Sequence, residues 1–273
     1  MECKLSNYLF FYCPILYALK TRFFRRSKLG IIIWATEYLI PLLLAYYFID
    51  CNGLGIISFV ISVIAVYNFY EIGYIQNDCE TIKIEQVPTL RLSYECLHFY
   101  ELNKKFIYGI RIILGIIFTF NFLQQDIHIY CIIIMWLGIP FYMIYNYLRG
   151  RINLYLIFPL TIYRYCLPLF LSTIYYTSIF WITVSIIVVS YPLIKFIEIC
   201  AGGKSLSQEK WTVIFLNSFD DRFLFRVKYY LFLYIISVSM LILLNCNISI
   251  SIIPLYYFFI RIIQLKMPKL GHR

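Results

Sequence analysis

The sequence predicts an all-α fold: a polytopic transmembrane helical bundle of about eight (or nine) spans, with both termini cytoplasmic. Three observations carry this. The chain is 62% hydrophobic, with a mean hydropathy of +0.77, well above the roughly 45–50% apolar usage of soluble domains. Its apolar runs reach the roughly 20 residues that a helix needs to cross the hydrocarbon layer. Basic and non-basic connections then alternate along the whole chain.

The eight runs fall at 30–50, 54–73, 106–123, 128–147, 152–170, 173–194, 229–245 and 249–265. They are apolar on all sides and lack the inside/outside alternation of barrel strands. Helices are then the way to satisfy every backbone group within lipid. Residues 1–29 form an N-terminal segment ahead of the first run. Its apolar stretch Tyr8–Ala18 contains Pro14 and has no small-residue cleavage site, so a cleavable signal is not indicated. It is expected to lie along the cytoplasmic interface or to extend the first span. Residues 1–273 read as a single integral membrane domain, interrupted by two polar cytoplasmic loops, 74–105 and 195–228.

The formal charge of +10 raises the question of nucleic acid, and its distribution answers it. Lys4, Lys20, Arg22, Arg25, Arg26 and Lys28 precede the first span, whereas Cys51–Gly53 after it carries no basic residue. Lys83, Arg91, Lys104 and Lys105 follow the second span, and Gln124–Asp126 after the third has none. Arg149 and Arg151 follow the fourth, and nothing basic follows the fifth. Lys195 to Lys228 surround the connection after the sixth; Asn245–Asn247 after the seventh is bare; Lys266, Lys269 and Arg273 close the chain. The positive-inside bias produces this alternation for eight spans, and basic flanks attract anionic headgroups. The bilayer accounts for the charge; no nucleic-acid partner is called for.

Nine cysteines form no CxxC pair, and most sit in or beside apolar runs, where cysteine acts as a small hydrophobe. Neither a disulfide framework nor a zinc site is indicated, and His98, His128 and His272 are isolated. Ala201-Gly202-Gly203-Lys204-Ser205 lacks the spaced glycines of a phosphate loop and reads as a turn.

The carboxylates are more informative. Glu71, Asp78, Glu80, Glu85, Glu95 and Glu101 gather at the first polar loop, and Glu198, Glu209, Asp220 and Asp221 at the second. Ten of the fourteen thus collect at two loops on one side of the membrane. A transporter or lipid-flipping component, for example in surface-polysaccharide export, would spread polar residues along a path across several spans. The one-sided clustering favours an enzyme.

If the second helix continues to Pro88, Glu71, Asp78 and Glu85 recur every seven residues and lie within about 40° of one another at 100° per residue. Tyr74 and Thr81 flank them. Such hard oxygen donors suit Mg²⁺, with Arg91 placed to hold a phosphate through paired hydrogen bonds. Asn68 and Glu71 lie within the apolar run itself, where ionisable groups tend to be functional. Among other charges inside spans, Arg111 and Arg261 are near enough to the ends to snorkel, whereas Glu37 and Arg164 either pair with each other or line a substrate cavity.

The segment Asn77-Asp78-Cys79-Glu80-Thr81-Ile82-Lys83-Ile84-Glu85 resembles the first aspartate-rich motif of the UbiA superfamily of intramembrane prenyltransferases, N-D-x-x-D-x-x-x-D. Asn77 and Asp78 match, Glu85 takes the last acidic position, and Thr81 stands at the middle aspartate with Glu80 displaced by one. Tyr145 with Arg149 resembles the tyrosine and basic residue that the family often carries at the end of its fourth helix. The family's second aspartate motif follows helix six; here that loop offers Asp220 and Asp221, and the motif itself is not reproduced. The resemblance implies a plasma (cytoplasmic) membrane transferase acting on a polyprenyl phosphate or diphosphate and an acceptor. It implies Mg²⁺ held by Asp78, Glu80 and Glu85 with Asp220 or Asp221. Asp78, Glu85 and Tyr145 would then serve catalysis, and Asn68, Glu71, Tyr74, Asn77, Arg91, Arg149 and Arg164 would bind substrate. Prenyl transfer, phosphoribosyl transfer onto a polyprenyl phosphate, and a family member that has lost catalysis remain open at this point.

Overall fold

The computed structural model describes residues 5–25, 29–49, 55–85, 88–148, 152–201 and 222–266. Among them every regular element is helical. The main helices are α1 (Gly30–Ile49), α2 (Gly55–Cys79), α3 (Tyr94–Gln124), α4 (Ile129–Tyr147) and α5 (Ile152–Phe170). They are followed by α6 (Ser178–Cys200), α7 (Arg222–Leu243) and α8 (Ile252–Lys266). Each apolar run of the sequence is therefore a helix. Among the described residues seven are long and apolar enough to cross a membrane, α8 being counted together with the helical turn Ile248–Ser251 that leads into it. The exception is α5, whose apolar part Tyr155–Phe170 is shorter and which carries Pro159 and Pro168, each lacking a helical N–H donor. A multi-pass membrane protein is the class these helices define.

The chain divides into two compact units. The first takes residues up to Tyr38 and from Asn52 to Tyr175. Its axis is α2, which packs against α3, α4 and α5 and is the most buried of the membrane-length helices. Close approach of α2 and α4 depends on Gly73, since a Cβ there would fall within the ring of Tyr142. Buried Asn146 locks the same crossing, its side-chain amide donating to the Gly73 carbonyl at 2.9 Å and to Gln76 Oε1 at 3.0 Å.

The N-terminal strap packs within this unit. A 3-10 turn, Leu5–Phe11, leads into short helical turns over Leu16–Phe23. Tyr8, Phe10, Phe11 and Tyr17 are buried against Ile75 and Cys79 of α2 and Tyr100 and Ile107 of α3. Ile15 sits at φ +75°, a left-handed conformation that costs a β-branched residue of order 1–3 kcal/mol. The compensation is that its N–H reaches the buried Glu71 carboxylate of α2.

The second unit comprises Leu39–Cys51 and Tyr176–Arg273, in which the second half of α1 packs on α6 and α7 pairs with α8. Thr177 caps α6, accepting from the Phe180 N–H at 3.3 Å. The widened turn Val189–Leu193 surrounds Pro192, and the Val189 and Ser190 carbonyls accept the hydroxyls of Tyr229 (2.6 Å) and Tyr230 (2.7 Å). Glu198 is buried and taken up by Arg226, with Lys195 at 3.9 Å. It serves this local network.

Candidate functional site

The polar residues of the first unit gather along one side of α2 in three tiers. The deepest is an ion pair. Glu71 and Arg111 are both fully buried, with Nη1 to Oε2 at 2.9 Å. Glu71 also accepts the Ala18 N–H at 2.7 Å and the Ile15 N–H at 3.1 Å. Arg111 in turn donates to the carbonyls of Phe11 (3.0 Å), Cys13 (3.2 Å) and Phe10 (3.4 Å), and to Asn68 Oδ1 at 3.5 Å. Asn68 returns a bond from its amide to the Arg111 carbonyl at 2.8 Å. Arg111 does not snorkel; it and Glu71 take up backbone groups of Phe10, Phe11, Cys13, Ile15 and Ala18, so Asn68 and Glu71 act as anchors for the strap.

The second tier is Asp78, the penultimate residue of α2 and itself buried. Arg22 of the strap forms a fork on it, Nη1 to Oδ2 at 2.8 Å and Nη2 to Oδ1 at 3.0 Å. Arg91 donates to Oδ1 at 2.8 Å, Asn77 to the same oxygen at 3.1 Å, and the Tyr17 hydroxyl to Oδ2 at 3.1 Å. Five donors converge on a carboxylate with about four lone-pair sites. Burial alone would lower the basicity of Arg22, but the adjoining Asp78 carboxylate holds its pKa above the ordinary value. Burial raises the Tyr17 hydroxyl pKa, and Asp78 raises it further, keeping it a donor.

The third tier is aromatic and cationic. The Arg22 guanidinium lies over the face of Tyr74 at 4.2 Å, and Arg164 Nη1 donates to the Tyr74 hydroxyl at 3.2 Å. One phenol ring therefore joins two guanidiniums. Arg164 also faces the rings of Tyr70 and Tyr165, each at 5.3 Å, and Tyr38 at 5.8 Å. Its Nε is buried without a hydrogen-bond partner. Arg164 has no carboxylate partner among the described residues; of the two alternatives the sequence leaves open, the pairing with Glu37 does not form, and the Glu37 backbone carbonyl accepts the Tyr165 hydroxyl at 3.0 Å. Tyr74 packs in a cluster with Tyr70, Tyr142, Tyr145, Phe141 and Tyr163. Phe141 and Tyr163 also line an apolar groove of about 520 Å³ between α4 and α5, with Ile134, Leu137, Ile144 and Ile162 among its walls.

The structure thus brings together Asp78, Asn77, Tyr74, Arg91 and Arg164, with Tyr145 in the adjoining aromatic cluster. It turns Glu80 elsewhere: Glu80 accepts the Tyr100 hydroxyl at 2.7 Å, Lys83 at 2.9 Å and Lys104 of α3. The acidic stripe ends at Asp78, because α2 stops at Cys79 and a separate 3-10 turn occupies Thr81–Lys83; half-buried Glu85 lies beyond it. Arg149, Asp220, Asp221 and nearly all of Ala201–Ser205 lie outside the described residues.

Magnesium needs carboxylate oxygens free to approach at about 2.0–2.1 Å. Asp78 spends both oxygens on arginines and hydroxyl or amide donors, and Glu80 spends its own on lysines and Tyr100. No group of three or more His, Cys, Asp or Glu side chains among the described residues is arranged to hold a metal ion. Asp78 and Glu80, as held here, do not fit the ion.

Two contributors escape a reading of the sequence. Arg22 and Tyr17 are legible there only as a topological charge and an interfacial aromatic. The signal available is Tyr8–Ala18 itself, apolar yet too short to span. The fold and site define a multi-pass membrane protein with a buried cationic and aromatic cluster at one end of α2. No family model, curated protein or solved structure matches the chain.

Proposed function

We propose that this chain is an integral membrane transferase similar to the UbiA superfamily, acting on a polyprenyl phosphate or diphosphate, with eight spans, cytoplasmic termini and the Asp78 tier at the cytoplasmic side of the plasma membrane. One observation carries the reading: Arg22, Arg91 and Arg164 meet around Tyr74 and Asp78, three guanidiniums against one carboxylate, beside an aromatic cluster continuous with an apolar groove. Guanidinium suits phosphate because its planar fork of donors matches two oxygens at once. A cationic excess next to an apolar groove suits an amphipathic lipid, with the phosphate at the arginines and the isoprenoid tail along α4 and α5.

For a diphosphate donor, the bond between C1 of the prenyl chain and the bridging oxygen breaks, and the diphosphate leaves with the electron pair. The acceptor bonds to C1 and loses a proton. Guanidiniums already held in place at the site lower the barrier, without reorganising, as charge develops on the departing oxygens.

The test is product formation from a radiolabelled polyprenyl diphosphate by the purified chain in proteoliposomes, with membrane extract supplying the acceptor. Product and pyrophosphate in equal amounts, lost in Arg164→Gln, support the reading. Absence of product from folded protein, across chain lengths and with a phosphoribosyl donor in parallel, overturns it.

A further inference from the structure

We infer that the phosphate group is held by guanidiniums in place of a divalent cation: Arg22, over the Tyr74 ring, and Arg164, at the Tyr74 hydroxyl, form the anion site, and Asp78 positions Arg22 and Arg91. The inference rests on the proposed lipid-phosphate substrate and deepens it.

Asp78 sits at the position where a metal-binding carboxylate is expected, yet both its oxygens accept from arginines. An ion there would have to displace the Arg22 fork and the Arg91 bond, and would leave Arg22, which is largely buried, without its partner. A buried cation without its counter-charge is strongly unfavourable. Asp78 instead fixes the two arginines at the end of α2, with the Arg22 guanidinium over the Tyr74 ring.

Arg164 has unspent donor capacity. A guanidinium has five N–H donors in a fixed fork. Arg164 spends one on Tyr74, and its Nε is buried with none. Buried polar groups nearly always find partners, and an exception calls for an explanation. A phosphate oxygen supplies one. Tyr74 joins the two arginines, its ring under Arg22 and its hydroxyl on Arg164, and the aromatic faces of Tyr38, Tyr70 and Tyr165 hold the Arg164 cation in place by attraction to their ring quadrupoles.

Arg22 comes from the strap, whose backbone is fixed by Glu71 and Arg111 through Ile15, Ala18 and Phe11. That anchoring holds the Arg22 charge at Asp78 from the strap side, where a bound cation would otherwise supply it.

The experiment measures binding of farnesyl diphosphate, phosphatidic acid and inorganic pyrophosphate to the full chain in nanodiscs of zwitterionic lipid, with Mg²⁺ or with EDTA. Farnesyl diphosphate should bind equally in both buffers, Arg164→Gln should weaken it about tenfold, and Arg164→Lys should restore part of the loss. Binding abolished by EDTA, or unchanged in Arg164→Gln, overturns the inference and leaves the transferase reading intact. Phosphatidic acid binding as tightly as farnesyl diphosphate, independently of Mg²⁺ and dependent on Arg164, supports the guanidinium site and removes the isoprenoid substrate. Pyrophosphate binding with the same Arg164 dependence supports the guanidinium site and assigns recognition to the phosphates alone. Should Arg164→Gln fail to fold, the EDTA comparison on the unaltered chain still decides.

Discussion

Arg22 places both terminal nitrogens on the two oxygens of Asp78, at 2.8 and 3.0 Å, across 56 positions of sequence. This fork fastens the N-terminal strap to the end of α2. Asp78→Asn removes the charge but keeps the shape. A buried pair broken on one side costs about 3–5 kcal/mol, so the strap should open more often. Limited trypsin digestion of the detergent-solubilised chain reads this directly, because Arg22 is a cleavage site that the fork covers. Cleavage after Arg22 is expected to be at least about tenfold faster in Asp78→Asn. Equal rates would mean that the fork does not hold the strap.

Glu71 and Arg111 present a different case, since neither touches the cationic cluster. Glu71→Gln or Arg111→Met alone leaves an unpaired buried charge, at about 3–5 kcal/mol each. The double variant leaves none, and its loss should fall well below the sum of the singles. Thermal unfolding of the four proteins supplies the cycle; additive losses would show that the two side chains act independently.

Arg164 should behave in the opposite way. It orphans no carboxylate when removed, so Arg164→Gln is expected to leave unfolding unchanged or raise stability by about 1 kcal/mol. A loss comparable to that of Arg111→Met would place Arg164 among the structural groups and weaken its assignment to a binding site.

Gly73→Ala puts a methyl into the Tyr142 ring, which is itself held edge-on against Tyr70 at 4.9 Å. Overpacking of this kind costs about 1–3 kcal/mol. Tyr142→Ala in the Gly73→Ala background should recover part of it, measured again by thermal unfolding. No recovery would indicate that the helices, rather than the ring, take up the strain.

Much of this architecture is legible in the sequence. All eight apolar runs are helices, because a run of that length without charge has few other ways to satisfy its backbone. Boundaries follow less well: α2 ends at Cys79 and not at Pro88, and α6 begins at Ser178 behind its Thr177 cap and not at 173. Those ends are set by local hydrogen bonds that hydropathy does not register. Within the site, Asn77, Asp78 and Arg91 are neighbours along the chain and stand out as a motif. Arg22 and Tyr17 do not, since they find Asp78 56 and 61 positions away through packing. Near a membrane, an arginine at the start of a chain reads first as topology. Only the fold separates Arg22, which pairs, from Arg25, which is exposed.

A lipid-phosphate ligand is tested most sharply by native mass spectrometry of the chain released from its own membranes, scoring which lipid stays bound. A phosphorylated isoprenoid should be retained by the unaltered chain and lost from Arg164→Gln. Retention of bilayer phospholipid only, to the same extent in both proteins, would mean that the arginine cluster does not select such a lipid.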